Sequence, residues 1–384
     1  MDGPFIYDKF VTGRHFIGRK TECTILGNLI SQGENVAIVA PPKGGKSSVI
    51  QQALFNLRVG GVTWQTGQFS VQNIRSREVF LQRFGGAVIR MAAATPDEYA
   101  ALVARHLAGT HFIFDPEAFS RSDEVVSLNW DIDESDVLAM MRLPYALAEE
   151  RQSRMILIID EFQNVDYIEG GDMLFRAMDA VMKEKGSGGG RLFSYILTGS
   201  KLNAMDDILG HRRYFYRNVE RLPMSPVDER EIVDHLVKGF LSSGKVIDRN
   251  LLLGACHLFR NDLFYINHFV SMCDSRSKGY IMEPVLAEAL ECMIAIYEPR
   301  FRAMMDDLTT HQVHLLKAVL EGNTRFSGAE TVRRYHLNSS ANVKRVKEAL
   351  MKKEIITFDE RENPVIIDPL FEYWVRKYYF EFSE

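Results

Sequence analysis

The chain has 384 residues, 46% hydrophobic and 25% charged, which excludes a disordered protein and a single small core and points to two or three domains. A net charge of −5 excludes a uniformly basic nucleic-acid coat, though not a local basic face, because a ligand responds to the field nearest to it. Four scattered cysteines (Cys23, Cys256, Cys273, Cys292) without a CxxC pair fit idle or core thiols in a reducing compartment, and MDGPFIYDKF lacks a secretory pattern, so the expected address is the cytoplasm, with no membrane partner.

Residues 35–40 (NVAIVA) read as a short buried strand rich in branched side chains. A Pro/Gly turn, PPKGG, follows, and then a helix over 46–57. A second strand is expected at 62–69 and an amphipathic helix at about 76–91. Residues 95–135 show acidic and aromatic patches without a clear period and read as an insertion over the sheet. MILII (155–159) is the third strand, FSYILT (193–198) the fourth, and 218–222 a weaker fifth; GSGGG (186–190) is a loop before the fourth. Strands separated by helical patterns predict a parallel sheet covered on both faces. From Ser225 the texture turns helical up to about Met305, and 306–384 read as a separate small module.

The loop Ala40-Pro-Pro-Lys-Gly-Gly-Lys46-Ser47, between a strand and a helix, has the chemistry of a phosphate cradle. Small residues let backbone N–H groups approach an anion, and the helix N-terminus favours negative charge. Pro42, Lys43, Gly44, Gly45, Lys46, Ser47 and Ser48 are the candidate nucleotide contacts. Lys46 would reach the β- and γ-phosphates and Ser47 a Mg²⁺ ion. Without ligand, Lys46 is expected to stand exposed on its loop. The pattern GxxxxGK[ST] has glycine where this chain has Ala40. The run MILIIDEF ends a buried strand in two carboxylates: Asp160 to hold Mg²⁺ through water, Glu161 to act as general base on the attacking water.

The run Phe16-Ile-Gly18-Arg19-Lys-Thr-Glu22, followed by PPKGGKSS, IIDEFQNV, ILTGS and DPLFEYWVRKYY, resembles the archaeal-type P-loop ATPase family, related to AAA-like and STAND ATPases and also widespread in bacteria. The resemblance implies an α/β P-loop NTPase core with an AAA-like parallel sheet, a helical lid and a C-terminal winged helix, divided as 1–223, 224–305 and 306–384. It further implies ATP or ADP with Mg²⁺ as ligands, Gly18 and Arg19 at the adenine and ribose, and Thr198 and Ser200 at a polar sensor position. Pro223 and Pro226 resemble the junction to the lid. Arg212, Arg213 and Arg217 precede the fifth strand, and Arg217 is the candidate arginine finger, against the alternative of a solvated surface cation.

His311 and His314 lie three apart on a helix, but no third ligand is in view, so zinc is not expected. The tail aromatics Phe371, Tyr373, Trp374, Tyr378, Tyr379 and Phe380 read as core and interface. Residues 309–367 read as three helices and a hairpin, the order of a winged helix-turn-helix. Its third helix, 339–353, carries Lys344, Arg345, Lys347, Lys352 and Lys353 against Glu348. Such cations suit duplex DNA; the acidic wing DEREN suits a protein partner instead. Two functions are therefore carried forward. One is a Mg-dependent ATP hydrolase acting as a nucleotide-driven switch on or near DNA. The other is a STAND-like signalling or scaffold ATPase, with slow turnover, whose winged helix binds protein. A homo-oligomer is left open.

Overall fold

The computed structural model describes residues 3–186, 191–210 and 213–382; the Gly-rich stretch 187–190 and Arg212 lie outside them. Two compact groups of residues make up the chain: Lys20–Ala40 with Val49–Met224, and Met1–Arg19 with Pro41–Ser48 and Ser225–Glu384.

The first group contains a five-stranded sheet. Its elements run α1 (Lys20–Ser31), β1 (Val36–Val39), α2 (Lys46–Val59, whose first turn counts with the second group) and β2 (Gln65–Ser70). They continue as α3 (Arg77–Ala92), α4 (Pro96–His106), β3 (Phe112–Ile113), α5 (Pro116–Ser122), β4 (Ser127–Leu128) and α6 (Glu134–Arg151). The group closes with β5 (Met155–Asp160), α7 (Gly171–Lys185), β6 (Phe193–Gly199), α8 (Leu202–Leu209) and β7 (Glu220–Leu222). Strand order is β2-β5-β6-β1-β7, all parallel. The five expected strands are therefore the five of the sheet. Every residue of β6 is buried, and so is β5 up to Asp160, as the near-continuous apolar runs require of central parallel strands. Wholly buried Asn35 ties three strands together: its Oδ1 accepts from the Tyr195 amide, its Nδ2 donates to the Asn218 carbonyl, and its own carbonyl accepts from the Glu220 amide.

Two expectations need correction. β2 starts at Gln65, not Val62, and alternates in exposure because it is the edge strand, its one partner being β5. Within residues 95–135, where no clear period was read, regular elements form. α4 is a capped helix, with Thr95 and Glu98 forming a capping box, and its Tyr99, Leu102 and Val103 enter the same core as the sheet. Those positions are i, i+3 and i+4, a helical face too short to stand out among the flanking charges.

The second group is helical: α9 (Glu229–Ser242), β8 (Val246–Ile247), α10 (Arg249–Leu258), α11 (Leu263–Arg276), β9 (Tyr280–Ile281) and α12 (Glu283–Asp306). Then come α13 (Thr310–Leu320), α14 (Ala329–Arg334), α15 (Ser340–Lys352), the hairpin β10 (Ile356–Phe358) and β11 (Pro364–Ile366), and α16 (Pro369–Trp374). The three-helix-plus-hairpin order is the expected winged helix. It shares a hydrophobic core with the helices before it, and Phe301 of α12 packs 5.6 Å from Phe371 and 5.8 Å from Trp374. Polar groups seal the joint. Arg260 donates to the carbonyls of Ile366 and Ile367, the Tyr265 hydroxyl donates to Asp368 at 2.8 Å, and Arg300 pairs with the same carboxylate. The tail aromatics Phe371 and Trp374 are thus core, as read from the sequence. Among the described residues, no helix is long and apolar enough to cross a membrane.

Candidate functional site

The phosphate-type loop leaves β1 as the sequence requires. Ala40 stays in the sheet through its amide, which donates to the Gly199 carbonyl at 3.3 Å; its φ lies outside the left-handed region, so nothing in its backbone demands the glycine of the usual pattern. The turn closes with the Gly44 amide on the Pro41 carbonyl, Lys43 and Gly45 having φ of 64° and 89°. Among the described residues, nothing lies within 4 Å of where a Cβ on Gly45 would stand, so the glycine is called for by its φ and not by crowding. Ser47 is exposed in the first turn of α2, which carries no acidic residue to compete for an anion at its positive end. Pro42 and Lys43 are also exposed, Gly44 half-buried.

One loop residue differs from expectation. Lys46 is not an exposed charge: it is 8% exposed, and its Nζ donates to the Pro41 carbonyl at 3.2 Å. A buried ammonium needs acceptors, and the loop's own carbonyl is one of them. Ser48 Oγ accepts the Val11 amide at 3.1 Å and so secures the N-terminal segment. Gly18 has φ 61°, and a Cβ there would meet Val227 Cγ1 at 2.6 Å and Glu231 Oε2 at 2.9 Å, so glycine is required both by conformation and by space. Arg19 follows at φ 53°.

The carboxylates stand at the end of β5. The Thr198 hydroxyl, 2% exposed at the end of β6, donates to Asp160 Oδ1 and fixes that carboxylate. Glu161 has φ 54°; its Oε2 accepts from Ser200 Oγ at 2.6 Å and from Gln163 Nε2. Asp160, Glu161, Thr198 and Ser200 are therefore brought together across two adjacent strands. Gln163 was missed by sequence reasoning; its only signal was a polar residue between the apolar Phe162 and Val165, both of which are buried.

Arg217 is exposed, on a turn where Phe215 and Arg217 have φ of 64° and 62°. Buried Asp179 of α7 organises the turn by accepting from the Phe215 amide and Asn218 Nδ2. On α15, Lys344, Arg345 and Lys352 are exposed and Lys347 lies 3.6 Å from the centre of the Phe358 ring; Lys353, exposed at the helix's C-cap, pairs with Asp307. His311, His314 and His336 come near one another, with successive ring centres 6.4 and 6.0 Å apart. Among the described residues, the group whose ligand atoms lie close enough to hold a cation is His111, Asp133 and Asp136. There the Asp136 oxygens already accept the His111 amide, His111 Nδ1 and the Asp133 amide, which makes the group a helix-cap joint.

A family model described as a probable winged helix domain matches residues 299–377. No curated protein matches the sequence. Among solved structures, the Walker-type ATPase PABY2304 of Pyrococcus abyssi is similar over 97% of this chain and 99% of that one, at 15% identity and a TM-score of 0.66. The ADP form of the Aeropyrum pernix ORC2 protein is similar over 95% and 93%, at 13% identity and a TM-score of 0.53. The fold is thus the α/β P-loop architecture with a C-terminal winged helix that the order of motifs implied.

Proposed function

We propose that the chain is a Mg²⁺-dependent ATPase whose nucleotide state sets its interaction with a partner held by the winged helix. The observation that carries this reading is topological: the Gly-Gly-Lys-Ser loop departs from β1 and the Asp160–Glu161 pair from β5 at the same edge of one parallel sheet, flanking β6. Ligands of open α/β sheets bind at that edge. The open space at Gly45 and the acid-free first turn of α2 suit a phosphate chain, and Ser47 and Asp160 are the residues that would hold Mg²⁺. Bound Mg²⁺ would neutralise the phosphate oxygens and orient them.

The chain's own residues supply the rest. Lys46 exchanges the Pro41 carbonyl for the β- and γ-phosphates, and the loop amides with Pro42, Lys43, Gly44 and Ser48 surround them. Glu161 takes a proton from the attacking water as its oxygen bonds to the γ-phosphorus and the bond to the ADP oxygen breaks. Thr198 holds Asp160 in place, and Ser200 does the same for Glu161. Gly18 and Arg19 border the base and sugar. Arg217 is assigned as the arginine that offsets transition-state charge.

Duplex DNA is the partner in the first reading, met by Lys344, Arg345 and Lys352 of α15. A protein partner is the second, favoured by the engagement of Lys347 and Lys353 within the chain and by the acidic wing tip at Asp359, Glu360 and Glu362. The deciding experiments are phosphate release and a salt-dependent gel shift. Glu161→Gln should bind ATP with unchanged affinity and release little phosphate; wild-type release would remove the assignment. If DNA is the partner, Lys344→Glu with Arg345→Glu should flatten the slope of log affinity against log salt by about 0.9 per lost phosphate contact. No salt-sensitive binding by the wild type with ATP, ADP or neither would leave the protein partner.

A further inference from the structure

Gln163 is wholly buried, and its carbonyl Oε1 has no hydrogen-bond partner. Burying an amide with half its polarity unmet costs stability, so a leucine of similar volume would be the cheaper core filler. What the glutamine does instead is donate Nε2 to Glu161 Oε2, 3.5 Å from Ser200 Oγ, whose hydroxyl donates to the same oxygen. Two donors from different elements thus converge on Oε2.

The surroundings are shaped around this contact. Gly199, just before Ser200, has no room for a side chain: a Cβ would meet Gln163 Oε1 at 2.9 Å and Met205 Cγ at 2.3 Å. Phe162 anchors the turn between the two residues, packing 5.5 Å from Phe175 and 5.8 Å from Phe215. Glu161 itself occupies the left-handed region at φ 54°, which a non-glycine residue keeps only when its neighbours hold it there.

We propose that Gln163 is a positioning residue of the hydrolytic site, acting through Glu161; this rests on the reading of Glu161 as general base. With Oε2 clasped by Ser200 and Gln163, the carboxylate has one orientation, and Oε1 is the oxygen presented to the attacking water. Stability is given up at position 163 in exchange for a fixed base.

The test uses the full-length protein with Mg-ATP. Gln163→Leu should melt at the same or a higher temperature, bind ATP as the wild type does, keep its KM, and lose roughly 10- to 100-fold in kcat, the scale of a misplaced catalytic group. Gln163→Asn keeps the amide but is one methylene too short to reach Oε2, and should lower kcat with KM unchanged in the same way. It carries the test alone if the leucine variant fails to fold. A leucine or asparagine variant with kcat within about twofold of wild type would make Gln163 a core filler and overturn the proposal. Wild-type turnover by Glu161→Gln would instead fell the base assignment itself, a failure told apart because it appears with Gln163 intact.

Discussion

Asp179 offers the sharpest test of how the Arg217 turn is held. The carboxylate is 6% exposed; Oδ1 accepts from the Phe215 amide at 3.1 Å and Asn218 Nδ2 at 2.9 Å, and Oδ2 from Lys183 Nζ at 2.6 Å. Asp179→Ala strands the buried Phe215 N–H, at about 1–3 kcal/mol, and removes a second charge-assisted bond of about 1.5 kcal/mol. The Lys183 pair adds at most about 1 kcal/mol, because the lysine side chain is 60% exposed. The expected loss is therefore about 2.5–5.5 kcal/mol, read from urea melts followed by tryptophan fluorescence at constant m. Asp179→Asn, which keeps an acceptor for Phe215, should cost about 1–2 kcal/mol, and Lys183→Ala less than about 1 kcal/mol. A loss below about 1 kcal/mol for the alanine variant, or equal losses for alanine and asparagine, would refute the account. So would full ATP hydrolysis by an alanine variant that still folds, if Arg217 is the catalytic arginine.

Gly18→Ala should cost at least about 1–2 kcal/mol for the left-handed backbone alone, and Val227→Ala should recover part of the remaining clash; thermal melts of the two single variants and the double variant check it. Burial, joined by the Asp368 carboxylate, pushes the Asp262 carboxyl up from 3.8 to about 6 against the pull of the Tyr265 amide. The folded chain then holds a proton that the unfolded chain has released, so this group's stabilisation is complete at low pH and is lost as pH climbs from about 4 to about 6. Asp262→Asn keeps a helix cap and should remove that part of the slope. A wild-type-minus-variant difference in melting temperature that is the same at either end of the window would exclude it.

The parts of the site legible in the sequence are those with strong local grammar. Gly-Gly-Lys-Ser between strand and helix, and a five-residue apolar run ending in Asp160-Glu161, both depend on neighbours in the chain. Thr198 and Ser200 came from the order of motifs, and strand pairing brought them to the carboxylates. Gln163 could not be read, because its role comes from convergence with Ser200, 37 residues away, on a single oxygen. Lys46 was misread for a similar reason: spacing identifies the lysine but not where its ammonium rests when no phosphate is present. α4 was missed because its three buried positions are outnumbered by charges, and Asp179 because a buried carboxylate in a helix looks like any solvated one until the turn it holds is seen.

The shared core between the helices from α9 onward and the winged helix has a consequence for how this part of the chain opens. Arg260 fastens the β11 end 106 residues further on, and Tyr265 fastens the start of α16. Amide protons of the β10–β11 hairpin, which as a three-residue pair would exchange almost at once if left alone, are therefore released only when α10 and α11 loosen. Exchange rates in the wing become a record of what happens at the start of α11. Local protection in the hairpin reports on residues about a hundred positions earlier, because both belong to one cooperative unit.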